Sequence, residues 1–393
     1  MGLIRRSLMA SCCVILISGI VGAAEVSVSS VEELRRAVAE AKPGTTILIA
    51  PGEYEGGHHF RGLKGEPDAP IVIRGADAGN PPVFKGRNNA FQFSEIAHVE
   101  IRDLVLTGAT ENGLNIDDGG DLANPSHHLA LRNLVVRDVG PGGNHDGIKL
   151  SGIVDFVVED CLLERWGAGG SGIDMVGCHR GVIQNSTFRH NEGEGSNGVQ
   201  AKGGTSEVAI RHCRFENAGE RAINLGGSTG LQFFRPKPQG YEGKDLLVED
   251  CVFLGSSSPM AFVGVDGAIV RHNTIYAPKR WAFRILQETK APGFVPSRNG
   301  RFTDNLIAYR SDEMTIPINI GPDTAPETFT VARNAWYCID DPQRPIPRLS
   351  IPQTDAVHLV DPPFRDAARG DLRPRPDAPP RPFGAREANA PAN

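Results

Sequence analysis

VEIRDLVL (Val99–Leu106), LALRNLVV (Leu129–Val136) and FVVEDCLL (Phe156–Leu163) share one pattern: apolar residues alternate with polar ones around an Asp or Asn. The phrase returns as VIQNSTF (Val182–Phe188), VAIRHCRF (Val208–Phe215), LLVEDCVF (Leu246–Phe253), IVRHNTI (Ile269–Ile275) and FTDNLIA (Phe302–Ala308). With Asp103, Asn133, Asp160, Asn185, His212, Asp250, His272 and Asp304 as equivalent points, the intervals are 30, 27, 25, 27, 38, 22 and 32 residues. Self-similarity at that period marks a repeat architecture, in which no unit buries its apolar face alone and stacking of neighbours supplies the core.

Each repeat carries short runs of period-2 alternation broken by Gly, Asn and Asp, which is the signature of strands. Helical repeats would need longer stretches of 3.6-residue periodicity, and the Leu/Asn consensus of leucine-rich repeats is absent. The expected fold is therefore all-β: a single-stranded right-handed parallel β-helix, one coil per repeat, with coils from about Val72 to Tyr337. The best helical pattern lies before the array, from Val31 to Ala41, with Ser29 and Ser30 as N-cap candidates and a Pro43-Gly44 stop. It predicts an N-terminal helix capping the open end of the solenoid, followed by a strand at Ile47 to Ala50.

The chain has 393 residues, 46 of them Gly and 29 Pro, and a net charge of −6. That balance offers no footprint for nucleic acid. Arg5 and Arg6 precede an apolar run from Leu8 to Val21 that ends in Gly22, Ala23 and Ala24, so residues 1–24 read as a cleaved export signal rather than a membrane span. The expected location is secreted or periplasmic, with residues 25–360 forming the β-helix domain including its cap. Residues 361–393 are a Pro/Arg/Ala-rich tail, expected to be partly disordered. Cys161, Cys178, Cys213, Cys251 and Cys338 lack metal-ligand spacing, and three of them follow the repeat anchor, so they read as small buried thiols.

A second strand of each coil aligns as GLNID, GIKLS, GIDMV, GVQAK, AINLG, AFVGV and AFRIL. Alternation places Asn115, Lys149, Asp174, Gln200, Asn224, Val263 and Arg284 in one outward column, and neighbouring strands ~4.8 Å apart turn that column into a stripe. A second outward column holds Asp117, Ser151, Val176, Lys202 and Gly226. Asp146, Ser171, Asn197 and Arg221 come just before the strands and lean over the same face. An insertion, Leu231 to Lys244, carries Phe233, Phe234, Arg235 and Tyr241, either as a wall beside a groove or as a self-packed loop. His58/His59 and His127/His128 lack zinc-site spacing, and His212 and His272 occupy the anchor position.

With APGEY (Ala50–Tyr54), the coils and the late DPPFRDAARGDLRP element (Asp361–Pro374), the chain resembles exported β-helix polysaccharide lyases of the alginate lyase and chondroitinase B type. The resemblance implies β-elimination on a uronate-containing, acidic glycan. It implies a Lys base, an Arg in the next coil and calcium held by acidic and amide side chains. Lys202 in GVQAKGG and Arg221 in GERAINLGG are the counterparts for catalysis, and the outward stripe supplies Lys149, Gln200, Asn224 and Arg284 for substrate binding. The acidic pair expected before the base is replaced by Asn197 and Gln200, with Glu192 and Glu194 in the preceding loop. Asp146, Asp174 and Asn197 are left as the oxygen donors for Ca2+; without metal, Arg221, Asn224 and Gln200 would neutralise the substrate carboxylate.

Electrostatics favour Lys202 over Lys149 as base, because Asp174 on the adjoining coil stabilises the charged form of Lys149. NHDGI (Asn144–Ile148) also resembles a segment of polygalacturonases, which opens hydrolysis by Asp146 and Asp174 as the alternative. The adjacent Asp pair and the Gly-His-Gly element of that family are missing. A non-catalytic glycan-binding β-helix is the third possibility.

Overall fold

The computed structural model describes residues 24–140, 142–190, 195–376 and 382–386. The export-signal segment, up to residue 23, and Glu192 and Glu194 lie outside the described residues. From Glu25–Val28 to Val357–Leu359 the chain winds through parallel strands, each coil hydrogen-bonded to the one before and the one after. One strand per coil joins a ten-stranded parallel sheet in chain order, from His58–Arg61 to Ile318–Ile320. The remaining strands, such as Ile153–Glu159 and Leu162–Glu164, stack into the other faces of the coil.

The sequence rhythm has a backbone cause. All eight anchor residues, together with Arg333 and Asp355, have φ between 47° and 59°. That is the left-handed region, where Asp and Asn are the least penalised side chains after Gly. Each anchor turns the strand through a corner at the same height of its coil, as the register Arg132↔Glu159 and Val135↔Leu162 around Asn133 and Asp160 requires.

The next residue points inward and closes the corner. Asn273, Asn305 and Asn334 form a ladder in which each Nδ2 donates to the following Oδ1 at 3.0 Å. The same oxygens accept backbone N–H groups: Cys251 N to Asn273, Asn273 N to Asn305 and Asn305 N to Asn334, each at 3.0 Å. In earlier coils Cys161, Ser186, Cys213 and Cys251 take this place. The five described cysteines are free and buried, and burial pushes the Cys161 and Cys178 thiols up to about 12, so they behave as apolar groups. Beside them Phe188, Phe215 and Phe253 stack with ring centroids 4.7 and 4.8 Å apart.

The helix Val31–Glu40 begins in a capping box: Glu33 N donates to Ser30 Oγ at 3.2 Å and Ser29 N to the Glu33 carboxylate at 2.7 Å. Leu34, Ala37 and Val38 are buried in the main core, so the helix covers the first coils. Winding starts earlier than Val72, because Glu25–Val28 already pairs with Thr46–Ile49. It also ends later than Tyr337, because Val357–Leu359 pairs with the strand Ala335–Cys338. These edge strands are too short for alternation to reveal. In the tail, Phe364–Asp366 pairs antiparallel with Asp371–Pro374. Phe364, Leu372 and Ala385 pack on Val252, Leu306 and Ala335 outside the coils, and Arg386 N donates to Asp250 Oδ1 at 3.1 Å. Among the described residues no helix is long and apolar enough to cross a membrane.

Candidate functional site

The ten-stranded sheet carries the polar stripe. Its register runs His59, Gln92, Asn115, Lys149, Asp174, Gln200, Asn224, Ala261, Arg284, Asn319, each residue beside the next. Val263 was expected between Asn224 and Arg284, but it pairs with Gly226, and Ala261 takes the column position. A two-residue slip keeps the same face outward, so apolar alternation is blind to it. Asn197 pairs directly with Arg221, which puts Arg221 on the sheet itself, one coil beyond Asn197.

At the centre, two lysines converge on buried carboxylates. Lys149 Nζ donates to Asp174 Oδ2 at 2.5 Å and to Asp146 Oδ2 at 3.1 Å. Lys202, from the second column, reaches back to Asp174 Oδ1 at 3.3 Å and donates to Gln200 Oε1 at 3.0 Å. The contact with Asp174 Oδ1 is an ion pair off the line of a hydrogen bond; that buried oxygen accepts none among the described residues. Asp146 and Asp174 are each 1% exposed, whereas the Lys149 side chain is 27% and that of Lys202 14% exposed. The lysine side chains are thus partly exposed, and the carboxylates they reach are buried.

Electrostatics follow from that layering. Burial and the Asp174 charge push the Asp146 carboxyl up to about 6, against the pull of Lys149 and a 2.8 Å hydrogen bond donated by Ser171 N to Asp146 Oδ1. Burial works against the charge on Lys149, but Asp174 and Asp146 outweigh it and raise its pKa. Burial also opposes ionisation of Asp174, and there Lys202 and Lys149 win and hold the carboxyl below its ordinary value. Lys202 is thus paired with a carboxylate as Lys149 is. It shares one carboxylate with Lys149, at the longer distance.

Towards the next coils Arg221 donates to Asn224 Oδ1 at 3.2 Å and pairs with Glu288 at 2.9 Å. Arg284 donates to Asn319 Oδ1 at 3.0 Å, pairs with Glu220 at 3.3 Å and lies 4.4 Å from the centroid of Trp281. Burial and the nearby Arg221 push Arg284 down from its ordinary value. The stripe therefore gathers Lys149, Asp174, Gln200, Asn224 and Arg284 with Lys202 and Arg221 beside them.

A family described as "right handed beta helix region" matches residues 89–237. The fold is the right-handed parallel β-helix. An alginate lyase from Paenibacillus sp. is 17% identical, with 76% of this chain and 96% of that chain covered and a TM-score of 0.54. The A-module of a mannuronan C-5 epimerase from Azotobacter vinelandii is 17% identical, over 82% and 94%, with a TM-score of 0.55. A pectate lyase is 14% identical, over 90% of each chain, with a TM-score of 0.52. No curated protein sequence matches the chain.

In this β-helix the insertion after the Arg221–Gly226 strand borders the Lys202 end of the stripe. Arg235 pairs with buried Asp118 at 3.4 Å, its N donates to Gly203 O at 3.2 Å, and Phe234 is buried with its ring 5.4 Å from that of Phe294. Gly177 lets the loop cross, since a Cβ there would sit 2.2 Å from Arg235 O. The insertion is therefore a strap packed across the turns of several coils, and Phe233 stays exposed.

Glu242, at the end of the insertion, went unnoticed in the sequence. Fully buried, it accepts from Gly203 N, Thr229 N and Thr229 Oγ1 at 2.8 Å each, and from Thr289 Oγ1. It fixes the Gly203-Gly204 turn directly after Lys202. Gly227 passes so close that a Cβ there would lie 2.8 Å from Gln200 Nε2 and 3.2 Å from Lys202 Cβ. Only contacts 39 residues apart in sequence, such as Gly203 to Glu242, could have flagged it.

Asp146, Asp174 and Asn197 fit Ca2+ poorly. Ca2+ takes six to eight oxygen ligands. Here the Asp146 oxygens are committed to Ser171 N and Lys149, and those of Asp174 to Lys149 and Lys202. Ammonium groups already supply the positive charge that the acidic side chains require.

Proposed function

We propose that the protein is an exported polysaccharide lyase that cleaves a uronate-containing glycan by β-elimination on the Lys149–Lys202 face. The single observation that carries this is the pair of lysines from the two coils flanking that of buried Asp174, both paired with its carboxylate. The fold it shares with an alginate lyase and a pectate lyase supports a glycan as the ligand. Export rests on Arg5, Arg6 and the apolar run that follows.

Elimination next to a uronate carboxylate needs a base at sugar C5 and a cation on the carboxylate as the enolate develops. Lys149, held charged by two carboxylates, is suited to the second task and unsuited to the first. Lys202 meets a single carboxylate, shared and at 3.3 Å, and is assigned the C5 proton. Arg221 and Asn224, from the next coil, extend the substrate-binding face, and Arg284 with Trp281 offers a further sugar contact. Lys202 Nζ, acting as the neutral amine, takes the C5 proton, the C5 electron pair forms the C4–C5 double bond, the C4–O bond breaks, and the departing sugar oxygen takes a proton from solvent to leave as a hydroxyl.

Hydrolysis by Asp146 and Asp174 is disfavoured, because both carboxyl groups lie under Lys149 and Lys202 and cannot reach a glycosidic oxygen. The test is ultraviolet absorbance of an unsaturated uronate product from alginate, pectate and glycosaminoglycans, with and without chelator. New reducing ends without that absorbance would replace elimination by hydrolysis. Exchange of C5 hydrogen for solvent deuterium without cleavage would identify an epimerase. No turnover with retained binding would leave a lectin-like β-helix.

A further inference from the structure

Around the corner from the polar stripe, three histidines meet where the sequence offered only an unremarkable pair. Ala97 pairs with His127 and Val99 with Leu129, so His98 and His128 occupy the same height on adjacent coils. Both have left-handed φ, 50° and 54°. In a regular strand His127 and His128 would point to opposite faces; the left-handed residue breaks that alternation and brings both rings to one side. The His98 and His128 rings stack with centroids 4.3 Å apart, and His127 stands edge-on to both at 5.3 and 5.0 Å.

We propose that His98, His127 and His128 form a binding site for a divalent transition-metal ion of the zinc class, bridging two coils. One nitrogen from each ring lies within 4.8 Å of the others, and the Nδ1 atoms of His127 and His128 are already 2.8 Å apart. Bonds of ~2.0–2.1 Å to a tetrahedral ion separate ligand nitrogens by ~3.3 Å, so small ring rotations suffice. Imidazole is the donor that suits such ions, in its neutral form. Asp155, next in the column, is engaged by Arg180 at 2.8 and 2.9 Å, which leaves the fourth position of the ion to water. His128 is exposed, so the ion has an open approach.

The test is calorimetric titration of the full chain with Zn2+, with Mg2+ as control, and Co2+ substitution read by its visible absorption. One Zn2+ per chain, a tetrahedral Co2+ spectrum and a thermal midpoint raised by Zn2+ are expected. Replacing a ligand should weaken binding at least ~10-fold, no less than the loss of an outer-shell partner, in His98→Ala and in His127→Ala alike. His128→Gln, an exposed substitution, guards against misfolding and should abolish the Co2+ spectrum with unchanged circular dichroism. Unchanged stoichiometry and affinity in the His98→Ala and His127→Ala variants, or no Co2+ band in the unaltered protein, would overturn the proposal.

Discussion

Two polar columns run along this β-helix, and they solve burial in opposite ways. In the Asn273–Asn305–Asn334 ladder, neutral amides stack at the corner of successive coils, and the Asn305 and Asn334 oxygens each accept both a side-chain and a backbone donor. In the Asp146–Lys149–Asp174–Lys202 cluster, ionised groups are layered and one oxygen of Asp174 lacks a hydrogen bond. A ladder in which every donor finds its acceptor specifies the coil. A cluster that leaves charge imperfectly matched, and pushes Asp146 up to about 6, has the character of a site.

The largest break in that contrast comes from the charged side. Lys202→Ala should reduce elimination by ~10²–10⁴-fold, the usual contribution of a positioned base, and lower the unfolding midpoint less than Asp174→Ala, because Lys149 still pairs with Asp174; full activity would remove Lys202 from the reaction. Asp174→Ala should cost about 3–5 kcal/mol in denaturant unfolding, because Lys149 and Lys202 lose the carboxylate they share. An unchanged midpoint would show the cluster to be solvated rather than buried.

Acidity separates the columns next. The folded Asp146 carboxyl, at about 6, lies above its ordinary value of 3.8, so the native state binds the extra proton between those values. Stability from this group is present below pH ~4 and falls as pH rises to ~6, by up to about 3 kcal/mol. Asp174 has the opposite sign: its lowered pKa contributes stability above pH ~4 that is lost on acidification. Asp146→Asn should remove the decline between pH 4 and 6 in denaturant titrations, and an unaltered pH profile would refute the assignment. The asparagine ladder has no titrating group and contributes no such slope.

Legibility in the sequence followed the same division. The anchors Asp103 to Asp304 could be aligned from sequence because the left-handed corner restricts residue type at each one. The stripe Lys149–Asp174–Gln200–Asn224 was readable because period-2 alternation fixes which residues point out. Val263 was misplaced because a slip of two residues preserves that parity. Burial of Asp146 and Asp174 under the lysines, the Glu242 support of the Lys202 turn and the meeting of His98 with His127 and His128 depend on side-chain reach across coils. Local pattern carries no record of that reach.

The smallest predicted effect tests the architectural column. Asn305 Oδ1 accepts from both Asn273 N and Asn273 Nδ2 at 3.0 Å, and its own Nδ2 donates to Asn334 Oδ1 at 3.0 Å and Val270 O at 3.2 Å. Asn305→Ala orphans buried groups on both neighbouring coils and should cost about 2 kcal/mol. Asn273 Nδ2 retains donations to Val248 O and Arg271 O, so it is not stranded, which is why the loss stays below that of Asp174→Ala. Catalysis should be unaffected, because the ladder stands on a different face of the coil from Lys202. A loss of turnover larger than the loss of stability would mean that the two columns are mechanically coupled through the coil, and that the division between architecture and chemistry drawn from their hydrogen bonds does not hold.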